Sequence, residues 1–151
     1  MIRLDYKFAS AWNSKMHPAD LTLADKAALR YDLLLGDIVF EVDGCDFSAL
    51  WGWIPIIDFA ASLRRISSEM TTSKRADAVF EFTESDATLQ FQRTNNRVII
   101  SASYVPCRAE VPIAEFALAV AAFSRRLVDS IEQKYPSLLQ NKELRSLLPV
   151  K

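Results

Sequence analysis

The chain has 151 residues, half of them hydrophobic, with a single histidine and a formal net charge of -1, which suits one domain of ordinary size with its own core. It contains no apolar run of membrane-spanning length, no signal-peptide layout and no low-complexity tract, so one soluble globular domain over 1–151 is expected. Cys45 and Cys107 are too few for a disulfide scaffold and lack metal-ligand spacing, which points to a reducing cytoplasm.

At the N-terminus Ile2, Leu4, Tyr6 and Phe8 alternate with Arg3, Asp5 and Lys7, the period of a half-buried strand. A loop over 11–19 holds Trp12, the lone His17 and Pro18. Thr22 and Asp25 mark a helix start, with a short helix to about Ala28. Residues 29–35 follow as a strand, with Leu29, Tyr31, Leu33 and Leu35 on one face; a longer helix reaching Leu35 is the competing reading. Gly36-Asp37 would turn this strand into a partner in which Ile38, Phe40 and Val42 alternate with Val39, Glu41 and Asp43. Asp43-Gly44 closes that strand, and 45–53, with Trp51 and Trp53 around Gly52, lacks a period and reads as a structured loop.

Pro55 suits a first helical turn, and Ile56, Ile57, Phe59, Ala60 and Leu63 recur at helical spacing, with Asp58 on the wet edge or as a deliberate polar group. The polar stretch 67–76 reads as a loop. Ala78, Phe80 and Phe82 then form a strand, Glu84-Ser85-Asp86 a turn, 88–93 a second strand, Thr94-Asn95-Asn96 a hairpin and 98–104 a third strand that bends on past Pro106. Pro112 begins the longest helix, where Phe116, Ala119, Val120, Phe123, Leu127 and Ile131 recur at three and four residues. Ala114, Ala117, Ala121 and Ala122 would let this helix lie close to a sheet. Pro136 ends it, and 138–148 forms a last short helix. The fold class is α+β: a mostly antiparallel meander of five to six strands, with two to four helices packed mainly on one face.

Charge is unevenly distributed. Residues 31–63 hold Asp32, Asp37, Glu41, Asp43, Asp46 and Asp58 without a lysine or arginine, and 76–92 hold Asp77, Glu81, Glu84 and Asp86, again with none. Arg64, Arg65, Lys74 and Arg75 lie between those blocks, and Arg125, Arg126, Lys134, Lys142, Arg145 and Lys151 follow toward the C-terminus. If the two acidic blocks are neighbours, they form a negative patch that would attract a basic partner.

No nucleophile elbow, phosphate-cradling glycine loop or zinc pattern is present, and three glycines cannot build a glycine-rich phosphate site. His17 has no evident catalytic partner. The Cys45 thiolate is disfavoured beside Asp46, and Cys107 reads as a small buried hydrophobe. Glu41 and Asp43, joined by Asp46 or Asp58, could hold Mg²⁺ or run acid-base chemistry, but two such carboxylates are commonplace on a wet strand. No enzyme, cofactor or metal site is therefore expected, and the acidic pI with no aromatic-interleaved basic face argues against nucleic acid as a direct partner. Trp51 and Trp53 either plug the end of the sheet or present one exposed anchor ringed by carboxylates.

The segments GDIVFEVDGCDFS, WGWIPIIDFAASL, FEFTESDATLQFQ, RVIISASY and EQKYPSLLQN together resemble small bacterial immunity proteins of polymorphic toxin and contact-dependent growth inhibition systems. The resemblance implies a cytoplasmic protein that binds and neutralises the basic C-terminal domain of a cognate toxin, commonly a nuclease. No contact residue carries over by motif, so the partner-binding set of Asp37, Glu41, Asp43, Asp46, Trp51, Asp58, Glu84 and Asp86 comes from charge and turn position. The alternatives are a small carboxylate or metal-dependent enzyme and a homo-oligomeric interaction module.

Overall fold

The structure, a computed structural model, describes residues 1–9, 21–73 and 76–149. The expected loop with Trp12, His17 and Pro18, and the basic residues Lys74, Arg75 and Lys151, lie outside these. The fold is α+β, with eight strands in two antiparallel sheets and four α-helices among the described residues. In the first sheet β1 (Ile2–Phe8) pairs along one edge of β2 (Leu35–Val42), and the short β3 (Cys45–Asp46) and then β4 (Ala49–Pro55) pair along the other. The second sheet is a meander of β5 (Asp77–Glu81), β6 (Thr88–Thr94), β7 (Arg97–Ala102) and β8 (Val105–Pro112). The helices are α1 (Lys26–Tyr31), α2 (Ile56–Thr72), α3 (Ile113–Lys134) and α4 (Lys142–Leu147).

Several local expectations are corrected. Asp25 caps α1, its side chain accepting from the Ala28 N–H at 2.8 Å, as a helix start requires. The helix then runs to Tyr31, so 29–35 is not a strand. Leu34, fully buried at φ 53, turns the chain into β2. Gly36 therefore lies inside β2 and not in a hairpin turn. A Cβ there would meet the Lys7 carbonyl oxygen of β1 at 2.0 Å, so this glycine serves the close approach of two strands. Asp43-Gly44 is a two-residue hairpin turn with φ values of 44 and 88, as its sequence indicates.

Residues 45–53 are mostly strand and not loop, because β3 and β4 return along β2, with Phe47 and Ser48 joining them. Likewise α2 continues through the polar residues to Thr72. Thr71 and Thr72 hydroxyls donate back to the Ser67 and Ser68 carbonyls, and Arg93 Nη1 donates to the Met70 and Ser73 carbonyls at 2.8 and 3.0 Å. The last turn of α2 is thus satisfied by a side chain from β6 that local sequence does not reveal. The meander has a fourth strand because Ser103-Tyr104 turns β7 back into β8. In α3 the large side chains pack, with Phe116, Val120, Phe123, Leu127 and Ile131 buried, whereas Ala114 and Ala121 are exposed.

Both sheets bury one face: Ile38, Phe40 and Val42 of β2, and Ala78, Phe80, Leu89, Phe91, Val98 and Ile100 of the meander. The helices α2 and α3 cover these faces. Phe59 of α2 sits among Phe80, Phe82 and Phe123 at centroid distances of 5.1, 6.4 and 5.9 Å, and Phe40 stacks on Phe91 at 6.5 Å across the two sheets. Buried Asn141 caps α4 and donates to the Leu21 and Ala24 carbonyls at 2.9 and 2.8 Å, which fastens the C-terminal segment to the start of α1.

The two cysteines form a disulfide between β3 and β8, with Cα atoms 5.8 Å apart, contrary to the expectation of separate thiols. They are 62 residues apart, and only the meeting of the two sheets brings them together. Reduction, or replacement of both by serine, is expected to destabilise the fold by about 2–4 kcal/mol. Urea titrations with and without a dithiol reductant check this; an unchanged midpoint would show that the seam holds without the bond.

Candidate functional site

The candidate site is the place where β4 leaves the sheet. Gly36 pairs with Ile54 and Ile38 pairs with Ala49, so residues 50–53 of β4 face Asp37 alone and must project outward. Asp37 pins the projection: its Oδ1 accepts from the Gly52 N–H at 2.7 Å. Gly52 has φ +79 with open space around a would-be Cβ, so backbone conformation alone calls for glycine there.

The side chains of this bulge divide between core and solvent. Trp51 is half-buried and meets Phe82 and Tyr104 edge-on at 5.1 and 5.3 Å. Trp53 stacks on Trp51 at 5.4 Å with an interplanar angle of 25°. Trp53 is 37 % exposed and Leu50 65 %, an apolar tip on a rigid aromatic base. Tyr104 completes the base, with its hydroxyl donating to the Phe47 carbonyl at 2.5 Å. Trp51 thus fills the end of the second sheet, and Trp53 is the outward member of the pair.

The acidic turn Glu84-Ser85-Asp86 begins two residues after Phe82, whose ring meets Trp51 at 5.1 Å. The Phe82 N–H donates to the Ala87 carbonyl at 3.1 Å and the Ala87 N–H to Ser85 Oγ at 3.0 Å, which holds the turn with Glu84 at φ 60. Glu84 and Asp86 are both exposed.

The chain matches no family model, no curated protein and no solved structure. The site is therefore read from its own geometry.

The other expected contact residues have different surroundings. Glu41 lies across from Arg3 of β1 and pairs with it at 3.4 Å. Asp43 sits in the turn, not on the strand face beside Glu41, and binds the amino group of Met1, which also lies 3.2 Å from Glu115. Asp46 is exposed beside Glu41; hydrogen bonds from Ser48, one from its N–H at 2.9 Å, hold its carboxyl below the usual range. Asp58 is 6 % exposed and paired with Arg30 at 2.8 Å, so it is not a surface contact. Of the expected contact carboxylates, Asp46, Glu84 and Asp86 are exposed and in no ion pair among the described residues, and Asp37 acts as the pin of the bulge. Leu50, Gly52 and Tyr104 enter the site without having been singled out as contacts. A glycine between tryptophans in a strand was the available signal for a bulge.

Asp37→Ala is expected to cost about 1 kcal/mol, the scale of one net hydrogen bond, and to shift tryptophan emission as the Trp51–Trp53 stack loosens. Fluorescence during urea unfolding reports both quantities. Burial raises the Tyr104 phenol well above its ordinary range, so the folded state keeps a proton that the unfolded state releases. Stability from this group is present below about pH 10 and is lost as pH rises beyond it. Unfolding measured from about pH 9 to about pH 11 is expected to show a fall that is shallower in Tyr104→Phe.

Proposed function

We propose that this chain is a protein-binding inhibitor of the immunity type, which neutralises a basic toxin domain through the β4 bulge and the acidic turn. The observation that carries this reading is the exposed Leu50–Trp53 tip, held rigid by Trp51, Tyr104 and Asp37, with exposed Glu84 and Asp86 in the turn that follows Phe82, the ring beneath Trp51. An apolar anchor with a charged rim is the usual composition of a binding hot spot, and a rigid anchor lowers the entropy lost on association. The carboxylates would speed encounter with a basic face and make it salt-sensitive. A nuclease domain, whose cleft must attract phosphates, has the matching charge.

The bulge, and not the β2 carboxylates, forms the centre of this interface, since Glu41 and Asp43 each face a positive group, Arg3 and the Met1 amine. The same engagement disfavours a two-carboxylate catalyst built on them. Among the described residues no helix is long and apolar enough to cross a membrane. The Cys45–Cys107 disulfide removes the grounds that two separate thiols gave for a reducing cytoplasm. Self-association through Leu50 and Trp53 is the second reading, favoured by the same exposed tip.

The test is co-expression with a candidate basic toxin domain, with host survival and capture of that domain as readouts. Trp53→Ala and Leu50→Ala are each expected to weaken binding by about 2 kcal/mol and to leave stability nearly unchanged, while Glu84→Lys with Asp86→Lys slows association. Full protection by the Trp53→Ala, Leu50→Ala double variant would overturn the proposal. A mass that doubles with concentration and reverts in the same variant would favour self-association.

A further inference from the structure

A second cleft lies away from the bulge, where α1, α2 and α4 meet. Arg30, Arg64 and Arg65 line it together with Ala61, Ser146 and Leu147, around a volume of about 330 Å³. Each guanidinium is held at its flank. Arg30 Nε and Nη2 both lie 2.8 Å from Asp58 Oδ1, with Ser62 Oγ 3.5 Å from Nη2. Arg64 Nη1 donates to the Leu147 carbonyl at 2.7 Å, and Arg65 Nη1 to Glu69 at 3.0 Å. A guanidinium has more N–H donors than these bonds occupy and no acceptor. Three held forks therefore border one cleft with donors to spare.

The Arg30–Asp58 pair asks for a reason beyond stability. Replacing a buried ion pair by well-packed apolar side chains is often neutral or stabilising, and burial raises the Asp58 carboxyl against the pull of Arg30. What the pair does accomplish is to fix the Arg30 fork at the cleft. Asp58 cancels one of the three positive charges. Glu69 is a partly exposed partner one helical turn from Arg65, a weak pairing that an incoming anion can displace. Among the described residues Arg64 bonds only a backbone carbonyl.

We propose that this cleft binds a compact oxyanion of the phosphate class, with Arg64 and Arg65 as donors and Arg30, positioned by Asp58, as the third. The planar forks match tetrahedral oxyanions, and the volume sits at the small end of ligand pockets. The site is independent of the protein-binding end.

Titration calorimetry and thermal melts of the whole chain at constant ionic strength test the proposal, with inorganic phosphate and ribose 5-phosphate as probes and sodium chloride as control. Saturable binding with a rise in Tm is expected. Tighter binding of the sugar phosphate identifies a small phosphorylated metabolite as the source of the group, and equal binding identifies the free ion. Arg64→Gln and Arg65→Gln are each expected to weaken binding about tenfold, the loss of one charge-assisted contact; Arg65 is exposed, so its variant keeps the fold. Two variants separate positioning from charge: Asp58→Asn removes the negative charge but keeps an oxygen that accepts from Arg30 and is expected to tighten phosphate binding, whereas Asp58→Ala removes that acceptor as well and is expected to bind more weakly than Asp58→Asn. A Tm response no larger than with chloride, or wild-type affinity in the Arg64→Gln, Arg65→Gln double variant, would overturn the site, and equal binding by Asp58→Ala and Asp58→Asn would overturn the role of Asp58.

Discussion

Neither sheet can bury its apolar face without the α2–α3 pair, and that constraint shapes the rest of the molecule. Phe40 from one sheet and Phe80 and Phe91 from the other all need an apolar neighbour, and Phe59 and Phe123 supply much of it from the helices. Each such side chain contributes roughly 1.5–3 kcal/mol when removed from water. Because one helix pair serves both sheets, β3 and β8 are drawn to a common seam, where Cys45 and Cys107 bond and Tyr104 reaches the Phe47 carbonyl. The seam is a consequence of helix packing, and the disulfide secures it.

The candidate interface grows out of that seam. Trp51 closes the end of the second sheet against Phe82 and Tyr104, so the bulge that carries Trp53 and Leu50 rests on the core. An exposed aromatic on such a base loses little entropy when a partner covers it. Stability and binding thus share residues: Tyr104 and Trp51 hold the fold together and also hold the tip in position.

Most carboxylates that look like a binding surface in the sequence have structural work. Asp37 pins the bulge, Asp43 holds the N-terminal amine, Glu41 faces Arg3, and Asp58 orders Arg30. Their partners are remote in sequence, so a block without lysine or arginine is still neutralised in space. Asp46 and the turn with Glu84 and Asp86 still offer negative charge, and the arginine cleft offers positive charge.

The sequence by itself determined the α+β class, the amphipathic strands β1, β2, β5 and β6, the Asp43-Gly44 and Asn95-Asn96 turns and the helix that follows Pro112, whereas the helix start read from Thr22 and Asp25 falls later, with Asp25 itself as the cap. Those features rest on local rules, namely periodicity, capping and the φ preferences of a few residues. Tertiary structure alone decided that Gly36 lies in a strand, that β3 and the two ends of β4 pair with β2, that Arg93 extends α2 to Thr72 and that Cys45 meets Cys107. In the site, the sequence marked Trp51, Glu84 and Asp86, but the roles of Leu50, Trp53 and Tyr104 depended on which strand leaves the sheet and what packs beneath it. Each of those outcomes requires a partner from a distant segment, and pairing between segments is set by burial of the whole core and not by local pattern.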